Sequence, residues 1–161
     1  MFYLYKTITQ KRDINYNMEL KIREYRKGDY DLIIKLWESA GLPYKPKGRD
    51  SRRSIEKEME RGCGTFIFAS VDGKEVGVVL VTNDGRKGWI NRVAVLPGYR
   101  KKGIARRLVN EAERWLESKG IYIFACQIEG YNDASFAAFQ KMGYVPFEGI
   151  RYLTKRKFPE I

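Results

Sequence analysis

The stretch Val93–Leu108, VAVLPGYRKKGIARRL, constrains this chain more than any other. Val93 to Leu96 reads as a strand, Pro97-Gly98 as a turn, and Arg100, Lys101 and Lys102 lead through Gly103 into a helix. That helix runs from Gly103 to Lys119, with Ile104, Leu108, Ala112, Trp115 and Leu116 on one face, and stops at Gly120. A glycine-containing turn between strand and helix leaves backbone N–H groups unpaired at the positive end of the helix dipole, which suits a phosphate. The segment is an anion cradle. Strand, turn, charge and helix coincide in it, so Gly103 and the basic residues are more than an ordinary turn on a solvated helix start.

The 161 residues, 43% of them hydrophobic, suffice for one substantial core, so a single domain is expected. The chain contains no histidine. Ser-His-Asp and Cys-His nucleophilic machinery and the HExxH metal motif are therefore excluded, leaving carboxylates, Tyr, Cys, Lys, backbone or water to move protons. Cys63 and Cys126 are the only two cysteines and lack metal-ligand spacing, so no metal and no disulfide is expected. No apolar run approaches the roughly 18 residues of a membrane span and no signal-peptide core is evident, so the expected compartment is the cytoplasm. A formal net charge of +11 fits an anionic ligand or a solvated Lys/Arg-rich surface, and charge alone does not separate the two.

Residues 1–17 lack periodicity and read as an N-terminal extension, with the ordered domain expected over 18–161. A strand over Leu20–Tyr25 precedes a helix that Asp29 caps and Gly41 stops; a proline-containing loop over Gly41–Asp50 leads to a second helix from Ser51 to about Arg61. Thr65–Val71 and Glu75–Thr82 form a hairpin at Asp72-Gly73, followed by a strand over Trp89–Leu96. After the cradle helix come an apolar strand over Ile121–Ile128, expected to be buried on both faces, a short helix capped by Asn132 or Asp133, and final strands over Tyr144–Lys155. The order β-α-α-β-β-β-α-β-α-β implies an α+β domain with a mixed, mostly antiparallel sheet, one β-α-β unit and flanking helices.

Arg100-Lys101-Lys102-Gly103-Ile104-Ala105, following a strand that ends Val95-Leu96-Pro97, resembles the (Gln/Arg)-x-x-Gly-x-(Gly/Ala) signature of the GNAT superfamily of acyl-CoA N-acyltransferases. Downstream, Asn132-Asp133-Ala134-Ser135 through Phe139-Gln140-Lys141-Met142-Gly143-Tyr144 is similar to that family's second motif, and the resemblance covers about Leu20 to Lys155. It implies acetyl-CoA as co-substrate and direct attack of a primary amine on the thioester. The backbone N–H groups of Lys101, Lys102, Gly103, Ile104 and Ala105 would hold the pyrophosphate, with Arg100 adding charge. Val93 and Val95 would pair with the pantetheine arm, a backbone N–H near Val93 or Ala94 would polarise the thioester carbonyl, and Asn132 would hold the arm while capping its helix.

The chain departs from the family where protons move. Phe139 stands at the usual acidic Tyr, and Gln127 at the Glu that members acetylating protein N-termini carry. Glu129 and Tyr131 are the replacement candidates for catalysis, with Tyr144 and Tyr152 more remote; each also fits an ordinary loop or packing role. Cys126, in an apolar strand without a base, reads as packing. Trp37, Tyr44, Phe147 and Tyr152 are candidates to line the acceptor pocket, although they fit core or rim packing better. Lys45, Lys47, Arg49, Arg52 and Arg53 nearby would repel a polyamine and tolerate an acidic or phosphate-bearing amine or a protein on RNA. The sequence admits a homodimer. The rival readings are a non-catalytic acyl-CoA sensor and, with no recognised motif, an RNA-binding module.

Overall fold

The computed structural model describes residues 18–158; the expected extension over 1–17 lies outside the described residues. The elements are β1 (Leu20–Glu24), α1 (Tyr30–Ala40), α2 (Arg52–Glu60), β2 (Gly64–Val71), β3 (Lys74–Asn83), β4 (Gly88–Val95), α3 (Ile104–Glu117), β5 (Phe124–Ala125) and α4 (Asp133–Gln140). One sheet in the order β1-β2-β3-β4-β5 is antiparallel except for the parallel β4–β5 pair, which α3 connects. Asp72 and Gly73 both have positive φ, 50° and 80°, the backbone of a tight hairpin turn whose twist matches the flanking strands.

Alternation along the strands divides the core. Ile67, Ala69, Val79, Val81 and Ile90 bury one face against Ile104, Leu108, Val109, Ala112 and Leu116 of α3. Phe66, Phe68, Val78 and Ala94 bury the other against Ile33, Leu36 and Trp37 of α1 and Ile55 of α2. Among the described residues no helix is long and apolar enough to cross a membrane.

Three local expectations need correcting. Asp29 begins α1 without a side-chain cap; its carboxylate accepts from Arg26 N at 2.7 Å and pairs with Arg23 at 2.7 Å. The strand over Ile121–Ile128 contracts to Phe124–Ala125, and Tyr122 (75% exposed) and Ile123 (57%) are not buried on two faces. At the sheet edge an apolar run has a neighbour on one side only, and α3 covers one face. No strand follows α4 among the described residues. Pro146 lacks the N–H a ladder needs and Gly149 turns to φ 84°, so Val145 and Phe147 stay exposed.

Candidate functional site

Between β4 and α3 the chain makes a 3-10 turn over Pro97–Tyr99, and then Lys101 (φ 61°) and Gly103 (φ 80°) take left-handed conformations. Alternating hands over so few residues turn successive N–H groups towards one concavity. The first intrahelical bond runs from Arg107 N to Gly103 O at 3.0 Å, so the N–H groups of Ile104, Ala105 and Arg106 lie ahead of it. A Cβ built on Gly103 meets nothing within 4 Å, so the space above the turn is open to an anion. The donors, the open approach and the exposed Lys101 and Lys102 fit a pyrophosphate.

Arg100 is placed differently from its neighbours. Its Nε donates to Val95 O at 2.9 Å and its Nη2 to Ala40 O at 2.8 Å, bracing the end of β4 against the end of α1.

β4 pairs with β5 only at Gly88–Phe124 and Trp89–Ala125, so from Ile90 onward its outer edge is open. Along the opposite edge the register with β3 shifts: Leu80 faces Asn91 and Val78 faces Ala94, leaving Arg92 and Val93 opposite Val79 as a bulge. Leu96 N donates to Val76 O at 2.9 Å, and alternation then turns the polar groups of Ala94 towards β3 and those of Val93 and Val95 towards the open edge. Of the two candidate N–H donors, Val93 faces the slot and Ala94 belongs to the ladder. The Val95 carbonyl is occupied by Arg100 and its N–H is not.

Arg92 and Asp50 form a feature that sequence reasoning missed. Arg92 holds φ 53°, its guanidinium lies 3.9 Å above the Trp37 ring, and its Nη2 donates to Pro43 O at 2.8 Å. Asp50 Oδ2 stands 3.8 Å from the same nitrogen and accepts from Lys45 N at 2.7 Å. Burial lowers the Arg92 pKa, with Asp50 opposing, while burial and then the Asp50 charge push Glu58 up. The available signal was a single charged residue inside the apolar run Trp89–Leu96.

A cavity of about 580 Å³ opens beside β4, lined by Trp89, Asn91, Gln127, Ile150, Arg151, Tyr152 and Leu153. Of the four aromatics considered for an acceptor pocket, Tyr152 is in this lining. Trp37 is fully buried, Tyr44 donates to Glu38 Oε1 at 2.6 Å, and Phe147 is exposed away from the lining. Glu129 and Tyr131 sit on the turn after β5, where Asn132 N donates to Glu129 O at 2.8 Å; both are exposed, and neither lines the cavity. The Asn132 side chain caps α4 by accepting from Ser135 N at 3.1 Å, leaving its amide N–H₂ free of that bond.

Phe139 is buried and meets Tyr144 edge-on at 4.9 Å. Tyr144 donates to Glu113 Oε1 at 2.7 Å, and burial followed by this bond raises its pKa far above the ordinary phenol range. A phenol so held is packing. Tyr144→Phe is expected to cost about 1 kcal/mol in chemical denaturation and to leave the rate of acetyl transfer unchanged. Burial likewise raises the Cys126 thiol pKa, away from nucleophilic use.

A strand that leaves its neighbour halfway, followed by a turn that opens helix N–H groups to an anion, suits a CoA-dependent acyltransferase. The model of the Acetyltransferase (GNAT) family matches residues 30–144, and the chain belongs to that family. It is 31% identical over 139 residues to Acetyltransferase SG1711 of Sodalis glossinidius (strain morsitans), covering 85% of this chain and 95% of that protein. Among solved structures it is similar to AAC(6')-Iy in complex with the bisubstrate analog CoA-S-monomethyl-acetylneamine, with 21% identity, TM-score 0.73 and 85% and 98% of the two chains covered. It is also similar to the aminoglycoside acetyltransferase meta-AAC0020 from an uncultured soil metagenomic sample, in complex with sisomicin, with 15% identity, TM-score 0.68 and 85% and 95% covered. The chain is an acetyl-CoA-dependent N-acetyltransferase that moves an acetyl group to an amine.

Proposed function

We propose that the cradle and the open edge of β4 divide the co-substrate between them, and that the amine arrives through the cavity beside β4. The backbone N–H groups of Lys101, Lys102, Gly103, Ile104 and Ala105 hold the pyrophosphate, and the Asn132 amide with the Val93 and Val95 edge holds the pantetheine arm. Acetyl-CoA supplies an activated acyl group. The Val93 N–H donates to the thioester oxygen as charge develops there. Glu129 and Tyr131, exposed on the turn after β5, pass protons through water. The unit that does this spans 18–161, and its compartment is the cytoplasm. The observation that carries this reading is the departure of β4 from β5 after Trp89, which leaves Val93 without a strand partner on that side.

The cavity lining includes Arg151 and no carboxylate. Lys87 adds a second cation, 5.4 Å from the centre of the Trp89 ring. Glu129 and Glu148, each two residues from a lining residue in sequence, are exposed and do not line it. The acceptor is therefore a primary amine on a neutral or anionic molecule, and polycations such as spermidine or an aminoglycoside are disfavoured.

Release of free CoA is expected to be at least about tenfold faster, as kcat/KM, with an amino acid than with spermidine, and to fall with added salt. Arg151→Glu reverses the preference. Equal rates, or spermidine preferred by the unaltered protein, would contradict the acceptor class. Tight CoA binding with no turnover for any amine would instead favour a sensor.

A further inference from the structure

We infer that Arg92 is a positioning residue for acetyl transfer: its side chain, anchored to Pro43 and Trp37, holds the β4 bulge so that the Val93 N–H points into the thioester slot. The inference rests on the assignment of that N–H to the thioester oxygen.

Arg92 takes φ 53° in the middle of a strand, a conformation glycine adopts freely and a long side chain does not. The adjoining structure must therefore hold it there. The backbone at Arg92 and Val93 opposes only Val79, so the β3 ladder does not fix how the two residues divide the turn. What does fix it is the side chain. The guanidinium stacks 3.9 Å above a fully buried indole, donates to Pro43 O at 2.8 Å and stands 3.8 Å from a buried carboxylate. Its Nε is buried without a partner among the described residues, so the group is seated by the stack and by Pro43 at the expense of its own hydrogen bonding.

Arg100 braces the same region from the other side. It reaches from Val95 O to Ala40 O, so segment 40–43 is tied to β4 before and after the Val93–Val95 edge. Removing Arg100 would disturb the cradle as well. None of the Arg92 contacts, to Trp37, Pro43 and Asp50, involves Arg100 or the Lys101–Ala105 turn, which is why the two halves of the site can be separated by experiment.

The test uses the full chain and acetyl-CoA labelled with carbon-13 at the thioester carbonyl, followed by isotope-edited infrared spectroscopy. In the unaltered protein the carbonyl band is expected to move to lower frequency on binding. In Arg92→Ala and Arg92→Gly at least half of that shift should be lost, while the acetyl-CoA Kd changes by less than about threefold. Arg92→Lys, which can still reach Pro43 O, should recover part of it. The glycine variant takes the left-handed φ without strain, so it keeps the test open if the alanine variant folds poorly.

A lowered melting temperature with the full band shift would assign Arg92 to stability alone and overturn the inference. No band shift in the unaltered protein would remove the Val93 assignment and the Arg92 role together. A full shift retained by the variants removes only the latter.

Discussion

Gly103→Glu is expected to weaken acetyl-CoA binding by at least about 100-fold with the circular dichroism spectrum and cooperative melt retained. Gly103 sits at φ 80° as the residue before α3, where a side chain costs about 1–2 kcal/mol in backbone strain. That is tolerable against a typical stability of about 5–15 kcal/mol. A Cβ there touches nothing within 4 Å, and a carboxylate at the start of a helix interacts favourably with its dipole, so the fold has room and no electrostatic objection. The ligand meets both a steric and an electrostatic obstacle. The carboxylate occupies the position a pyrophosphate needs and repels it through the same charge. Gly103→Ala separates the causes: it carries the strain without the charge and should cost about tenfold at most. Titration calorimetry with acetyl-CoA reads both, and unchanged affinity in the glutamate variant would remove the cradle from the binding site.

The largest expected effect on stability lies where α3 crosses the start of β4. A Cβ on Gly88 would stand 2.2 Å from Leu116 Cδ1 and within 2.9 Å of two further Leu116 carbons, and Leu116 is fully buried. Gly88→Ala should cost about 1–3 kcal/mol through overpacking, and Leu116→Ala about 2–5 kcal/mol through the cavity it leaves. In the double variant the new methyl enters the space the leucine vacates. Its cost should fall below the sum of the two by about 0.5–3 kcal/mol, measured by chemical denaturation of all four proteins. Additive costs would show that the two residues do not meet. The contact bears on function because Gly88 N donates to Ile123 O at 2.8 Å at the start of the short stretch that joins β4 to β5.

The cradle was legible because its chemistry is local: strand, positive-φ turn, cations and helix face all fall within Val93–Leu108. The same holds for the hairpin at Asp72-Gly73; the uniformly apolar Phe66–Ala69 gave no sign that Phe66 and Phe68 face α1 while Ile67 and Ala69 face α3. What could not be read depends on partners distant in the chain. Arg100 has the composition of a phosphate ligand, yet its guanidinium is engaged by a carbonyl 60 residues away. Arg92 and Asp50 gain meaning only when the loop after α1 lies across the β4 bulge. The apolar run at Ile121–Ile128 signals a strand correctly, but its length is set by the divergence of β4, which no residue in the run encodes. Asp29 fits the capping pattern and is claimed by Arg23 from the neighbouring strand.

The proton-transfer half of the site is the less conventional one. Phe139 is a packing residue, Gln127 an amide in the cavity wall, and Tyr144 a phenol committed to Glu113. The cavity wall thus offers amides and no carboxylate, and Glu129 and Tyr131 stand exposed on the turn after β5. An acceptor amine that already reaches the slot partly neutral would ask least of such a site.

A crystal structure with acetyl-CoA bound tests the central claim most directly. The pyrophosphate oxygens are expected within hydrogen-bond distance of the N–H groups of Lys101 to Ala105, and the thioester oxygen within that distance of Val93 N. A pyrophosphate held elsewhere, or a thioester oxygen facing away from the open edge of β4, would contradict it.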